Sequence, residues 1–288
     1  MPELPEVETI RRGLAATVLG RRIDAVEAIW RPVLAGPVDG RLLGRRLTGI
    51  GRRGKLLVGD LDGGDHLLVH LMMTGQIVVA DGGRTLFGGG HPTRSMLEPM
   101  PNSTTRAVFR LEGGRAVYFN DQRKFGRIRI ADDAALAADP FLTRLGPEPL
   151  GAEFTLAAFR ARLARHGRAP VKAALLDQTV VAGVGNIYAD ESLHLARVHP
   201  RRLVRSLSAA ESRRLHDAVR STLELAVESG GTSFAAYVNE ARGREGYLAR
   251  ARVFRRAGLP CPVCGTAIER VRVAGRGTNV CPRCQRAA

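Results

Sequence analysis

Hydrophobic positions along the chain change rhythm near residue 150. Before that point the apolar runs are short and broken by glycine, at residues 55–61, 66–72, 76–80, 107–111 and 116–119. The last two flank Glu112-Gly113-Gly114-Arg115. That is a hairpin signal, because glycine supplies the positive φ a tight turn needs. Several short strands with glycine turns predict a sandwich or barrel-like sheet. One helix opens this half: Val7, Ile10, Leu14 and Val18 share a face, Pro5 suits a first helical position, and Glu6 and Glu8 suit the positive end of the dipole. Residues 81–103, rich in Gly and Pro, predict a long loop.

Beyond the change the period is helical. Ser208-Ala209-Ala210-Glu211 is a capping box followed by Leu215, Val219, Leu223 and Ala226 on one face, and Gly230-Gly231 closes the element. Shorter helices fit residues 156–165, 171–177 and 187–196. No internal repeat is visible. The predicted class is α+β in two domains. An N-terminal β-sandwich with a leading helix spans 1–131, an interdomain hinge 132–150, a helical domain 151–250 and a small tail 251–288.

Length and charge sharpen this. A chain of 288 residues is long for one core and comfortable for two modest ones. No apolar run approaches a membrane span, and Glu3, Glu6 and Glu8 replace the apolar core a signal peptide needs, so a cytoplasmic monomer is expected, with no membrane partner. Lys plus Arg number 44 against 28 Asp plus Glu, a net charge of +16. The arginines run through the whole chain, which favours a polyanionic partner over a merely basic tail.

The four cysteines all lie near the C-terminal end, as Cys261-x2-Cys264, sixteen residues, and Cys281-x2-Cys284. Each C-x2-C pair presents two thiolates from one tight turn, and two such pairs supply the tetrahedral set of one structural Zn²⁺. A redox dithiol needs only one pair and fits poorly. Four thiolates leave no open coordination position, so the metal holds structure. Arg270, Arg272 and Arg276 lie between the pairs with Glu269 alone opposing them, which suits phosphate contact.

The first residues read Met1-Pro2-Glu3-Leu4-Pro5-Glu6-Val7-Glu8. Removal of Met1 exposes a secondary amine at Pro2. An α-amine has a pKa near ~8, so a useful fraction is unprotonated at neutral pH. Attack on an aldehyde-level carbon then yields an iminium, an electron sink, with Glu3 and Glu6 beside it to move protons. On this segment alone, a proline starting a helix and glutamates complementing its dipole are the better explanation of the residues.

Four separated motifs together give a stronger signal: Pro2-Glu3-Leu4-Pro5-Glu6-Val7-Glu8, Asp121-x-Arg123-x-Phe125-Gly126, Ala182-Gly183-Val184-Gly185-Asn186-Ile187-Tyr188-Ala189, and the four-cysteine finger. The chain resembles the formamidopyrimidine-DNA glycosylases over essentially its whole length. Leu4 stands where the related endonuclease VIII branch usually has glycine, which points to oxidised purines, 8-oxoguanine and formamidopyrimidines, in double-stranded DNA. The resemblance implies a base-excision-repair glycosylase and lyase. Pro2 would attack C1′ and form a Schiff base, and Glu3 would donate the proton that opens the sugar. Glu6 would lie near the flipped sugar. Lys55, near the lesion's phosphate, would be the proton donor for β-elimination, and Arg276, gripping phosphate, the donor for δ-elimination.

An enzyme reaches C1′ only if the nucleotide is turned out and the hole filled. The resemblance assigns filling to Met73, Arg123 and Phe125. It places Lys124 beside them, Lys172 near the damaged base, and Asn186 and Tyr188 in the helix–two-turn–helix that binds phosphate. Glycines before a helix let N–H groups approach phosphate, and Tyr188 stands where a dinucleotide fingerprint would need Gly or Ala. Residues 232–248, with Ser233, Tyr237 and Gly246, take the place of the loop over the everted purine. The chain departs from the family's usual Asp-Pro-Arg-Arg-Phe-Gly at Gln122 and Lys124, and Lys124 lacks the guanidinium fork. Arg106 replaces a common histidine, and Gly88-Gly89-Gly90 is peculiar to this chain. The alternatives are an endonuclease VIII-like enzyme for oxidised pyrimidines and a non-catalytic zinc-finger DNA-binding protein.

Overall fold

The computed structural model describes residues 1–232 and 246–287. The chain divides into two units, Met1–Thr143 with Ser229–Gly246, and Arg144–Glu228 with Tyr247–Ala288. Ser233 and Tyr237 lie outside the described residues.

The first unit opens with α1 (Leu4–Val18). Then come β1 (Ile23–Ala28), β2 (Leu34–Ala35), α2 (Val38–Leu42), β3 (Leu47–Arg53), β4 (Leu56–Leu61), β5 (Asp65–His70), β6 (Gly75–Asp81) and β7 (Arg84–Gly90). β8 (Thr105–Leu111), β9 (Arg115–Asp121), β10 (Arg127–Asp132), α3 (Asp133–Ala137) and α4 (Pro140–Arg144) follow. One five-stranded sheet has the order β1-β8-β9-β6-β7 and the other β2-β10-β5-β4-β3. Ile77, Val79 and Phe119 from the first meet Leu57, Val69 and Ile128 from the second in one core. This is the expected sandwich, with α1 seated on it through Val7, Ile10, Leu14 and Val18. Burying each such side chain contributes about 1.5–3 kcal/mol.

A capping box starts α1: the Glu3 N–H donates to Glu6 Oε2 at 2.8 Å while the Glu3 carboxylate accepts from the Glu6 N–H. The expected long loop at 81–103 is corrected. It contains strand β7 and a 3₁₀ turn at Arg94–Met96. Its glycines are packing surface: a Cβ at Gly89 would lie 2.6 Å from Ile10, and one at Gly13 would strike the Phe87 ring. The strand's last three residues carry no side chain, which lets helix α1 lie close over Gly89.

The second unit contains α5 (Leu156–Ala164), α6 (Val171–Leu176), α7 (Asn186–Ala196) and α8 (Ala209–Glu228), then the hairpin of β11 (Glu269–Val273) and β12 (Arg276–Val280). Phe159, Leu175, Tyr188, Leu193, Leu215 and Leu223 share its helical core. The capping box before α8 forms, with Ser208 N–H donating to Glu211 and Glu211 N–H to Ser208 Oγ at 3.2 Å. Among the described residues no helix is long and apolar enough to cross a membrane.

Candidate active site and nucleic-acid contacts

In the first unit the capping box brings the carboxylates of Glu3 and Glu6, each only 3% exposed, to the N-terminus of α1. With Met1 in place, burial holds the terminal amine below the ordinary α-amine value. The Lys55 charge pushes the same way, and Glu3 and Glu6 oppose it. Pro2, next in the chain, is buried. The amine end, both acids and Lys55 therefore share one buried neighbourhood. Glu6 reaches further: its Oε1 accepts from the Thr232 N–H at 2.8 Å and the Thr232 hydroxyl at 3.0 Å.

His70, at the end of β5, carries no signal in the sequence beyond a histidine within an apolar run. Its Nδ1 accepts from the Met72 N–H at 3.0 Å, so the neutral ring carries its proton on Nε2. Burial, aided by the Lys55 charge, pulls its pKa down to about 4, and the ring is a neutral donor at pH 7.

Met73, Arg123 and Phe125 come together as the motifs imply. Arg123 Nη1 lies 3.1 Å from Met73 Sδ, and its guanidinium sits 4.8 Å over the Phe125 ring. Met73 and Phe125 are 38% and 43% exposed, which core packing alone would not produce. The buried Asp121 organises the turn beneath them. It accepts from the Thr74 hydroxyl, from the Arg123 N–H at 3.2 Å and from the Gly126 N–H at 2.7 Å. A Cβ at Gly126 would strike the Phe119 ring, so the turn requires glycine there. Lys124 adopts φ 59° and is exposed, its amine 5.8 Å from the Trp30 ring centroid.

In the second unit, α6, two short turns and α7 form the helix–two-turn–helix. Asn186 opens α7 and donates from Nδ2 to the Gly277 carbonyl at 3.0 Å. Arg276 is exposed and follows Ala274 (φ 46°) and Gly275 (φ 75°), consecutive positive φ values that make the tight hairpin turn. Two other expected DNA contacts are placed differently. Tyr188 is fully buried, edge-on to Tyr247, and Lys172 is fully buried, its amine 2.6 Å from Asp190. Both side chains pack and pair within the second unit.

That ion pair belongs to a wider anchor. Lys172 also donates to the Gly277 carbonyl and Thr278, and Asp190 accepts the Asn279 N–H at 2.8 Å. Burial pushes the Asp190 carboxyl up, against the pull of Lys172. Glu191 beside it accepts three N–H groups, from Arg252, Val253 and Phe254 at 2.7–2.9 Å. These acids carried no motif. Their partners lie far along the chain, so no local spacing marks them.

The finger's sulfurs converge, with Cys264 Sγ 3.5 Å from Cys281 Sγ and Cys261 Sγ 4.0 Å from Cys284 Sγ. A tetrahedral site with Zn–S near ~2.3 Å requires sulfur separations of roughly 3.8 Å. The donor set fits one zinc.

A leading helix on a β-sandwich, a helix–two-turn–helix and a four-cysteine finger define a class of protein, and three family models match it in order. They are the formamidopyrimidine-DNA glycosylase N-terminal domain over residues 1–128, the H2TH domain of that enzyme over 145–237, and the zinc finger found in FPG and IleRS over 258–287. A formamidopyrimidine-DNA glycosylase of Heliobacterium modesticaldum is 42% identical over 292 residues, covering 99% of this chain and 100% of the relative. The crystal structure of the MutM (Fpg) protein from Thermus thermophilus is 43% identical with a TM-score of 0.83, covering 99% of this chain and 98% of that one. A Lactococcus lactis FPG mutant in complex with Fapy-dG-containing DNA is 30% identical with a TM-score of 0.85, covering 99% and 100%. The chain belongs to the formamidopyrimidine-DNA glycosylase family.

Proposed function

We propose that this protein excises oxidised purines, 8-oxoguanine and formamidopyrimidines, from duplex DNA and then cuts the strand. The observation that carries the reading is the buried gathering of the chain's terminal amine with Glu3, Glu6 and Lys55. Once Met1 is removed, the buried Pro2 becomes the terminal amine and is the nucleophile at C1′. Glu3 donates the proton that opens the sugar, and Glu6 orders the site by binding the α1 N-terminus and Thr232 together. Loss of the base leaves an iminium through which β- and δ-elimination proceed, with Lys55 and Arg276 as the respective proton donors.

Met73, Arg123 and Phe125 fill the vacated stack, an apolar wedge, a cation and a ring already in mutual contact. Lys55, His70, Asn186, Lys124 and Arg276 contact phosphates. Lys172 supports the finger through Asp190 and reaches the lesion only if that pair opens. Zinc, held by Cys261, Cys264, Cys281 and Cys284, keeps the arginine hairpin folded.

Borohydride trapping on a duplex with one 8-oxoguanine opposite cytosine tests this. The expected result is a covalent adduct that mass mapping assigns to Pro2. Binding without an adduct would favour the non-catalytic zinc-finger protein. Faster excision of thymine glycol than of 8-oxoguanine would favour the endonuclease VIII-like reading.

A further inference from the structure

Helix α7 aims three consecutive-turn side chains, Asp190, Glu191 and His194, at the C-terminal part of its own unit. Residues three and four apart share a helix face, so these act as one edge. Asp190 binds β12, Glu191 binds the 252–254 turn, and His194 reaches the finger's sulfurs. His194 is 3% exposed, and its Nε2 lies 3.3 Å from Cys261 Sγ. Its ring nitrogen and the sulfurs of Cys261, Cys281 and Cys284 all lie within 4.8 Å of one another.

We propose that His194 is a hydrogen-bond donor built into the zinc site, its Nε2–H capping the Cys261 thiolate and shielding the metal's sulfur ligands from electrophiles. A zinc-bound thiolate has no proton to give, so a hydrogen bond at this distance must run from nitrogen to sulfur. The ring's other nitrogen decides the tautomer. Nδ1 is buried without a partner among the described residues. A proton on Nε2 leaves only an acceptor lone pair unmatched there. A proton on Nδ1 would strand a buried N–H and turn a lone pair against the thiolate. For the same reason His194 is poorly built to be a ligand: a zinc-bound histidine ordinarily donates its second N–H to an oxygen, and none is hydrogen-bonded here.

A charge-assisted bond draws electron density from the sulfur and lowers its nucleophilicity while leaving its place on the metal. The consequence is a finger that keeps its zinc under chemical attack. Four thiolates alone confer stability, but each remains open to alkylation.

The test uses the full zinc-loaded protein and His194→Phe, which keeps the volume and removes the donor. N-Ethylmaleimide is added, and zinc release is followed with a chromophoric chelator. Release is expected to be on the order of 10-fold faster in the variant, the scale of effects from groups outside the ligand set. Equal rates from two equally loaded proteins overturn the donor role alone. A wild-type chain holding no zinc overturns the metal reading and this one together. Because the variant itself can fail to fold, ¹⁵N-labelled wild-type protein supplies a second reading. The His194 ring is expected in the Nε2–H form, and a proton on Nδ1 with Nε2 bound to metal overturns the proposal. Cobalt substitution separates the same two outcomes by absorption, four-sulfur if the proposal holds and three-sulfur, one-nitrogen if it fails.

Discussion

Each unit buries a pair of acids at one helix, and the two pairs keep different company. In the first, Glu3 and Glu6 flank the start of α1 beside an amine and Lys55. In the second, Asp190 and Glu191 sit in the middle of α7 and are filled by backbone N–H groups and Lys172. Burial is nearly equal, 3% exposure against 0%. What separates a chemical acid from a structural one is what surrounds its oxygens. Backbone N–H groups hold Glu6 as well as Glu191, so the distinction lies in the charged neighbours: a terminal amine and Lys55 stand beside the first pair, whereas Lys172 closes the second into an ion pair.

Substitutions should split the pairs cleanly. Glu3→Gln keeps the shape of the capping box but cannot donate its proton, and base release should fall about 10²–10⁴-fold with the melting temperature nearly unchanged. Excision assays and calorimetry on the same sample check this, and an unaltered rate would remove Glu3 from the chemistry. Asp190→Ala should do the reverse. It strands a buried Lys172 and destabilises the second unit by about 3–5 kcal/mol, visible in urea unfolding. If stability held and only excision fell, the anchor reading would be wrong.

Two smaller effects concern titratable groups outside both pairs. Burial works against a charged Glu8, but hydrogen bonds from Arg11 and Arg12 and the charge of Arg52 outweigh it and hold its pKa at about 2. A depressed pKa gives stability that is present above the unfolded value near 4.5 and lost as pH falls towards 2. Glu8→Gln should therefore lower the melting temperature at pH 7 and converge on wild type near pH 2. His66 is raised by Asp133 and Asp60, so its contribution is present below the unfolded pKa of 6.5 and fades at higher pH. Asp133 is 87% exposed, and solvent screening keeps this effect the smallest. His66→Gln should cost a little stability at pH 5.5 and nothing at pH 9 in parallel melts.

The sequence made some elements legible and concealed others for physical reasons. Helix α1 shows itself because four apolar residues recur at its period and its acids sit at the right end. The edge strands β1 and β3 each bury only their first residue, so they leave no alternation to read. Strand β7 hides because Gly88, Gly89 and Gly90 carry a loop's composition, although each is packed closely and Gly89 forms a floor for α1. In the site, Pro2, Arg123, Phe125 and the cysteines belong to local motifs, and Met73 is placed by the resemblance of the whole chain. His70, Asp190, Glu191 and His194 matter through partners in other elements, and no one-dimensional spacing records those. The same blindness explains Lys172 and Tyr188, whose positions in the sequence say nothing about which way the side chains turn.

The bare contact between α1 and β7 has a reach beyond local packing. Ile10 and Gly13 rest on Gly89 and Phe87, and the terminus proposed to carry the nucleophile projects from the same rigid rod, roughly 10 Å away at 1.5 Å of rise per residue. A single methyl inserted at residue 89 would tilt that rod about its fulcrum and swing its tip out of register with the sugar. Aim, in this enzyme, is set from behind.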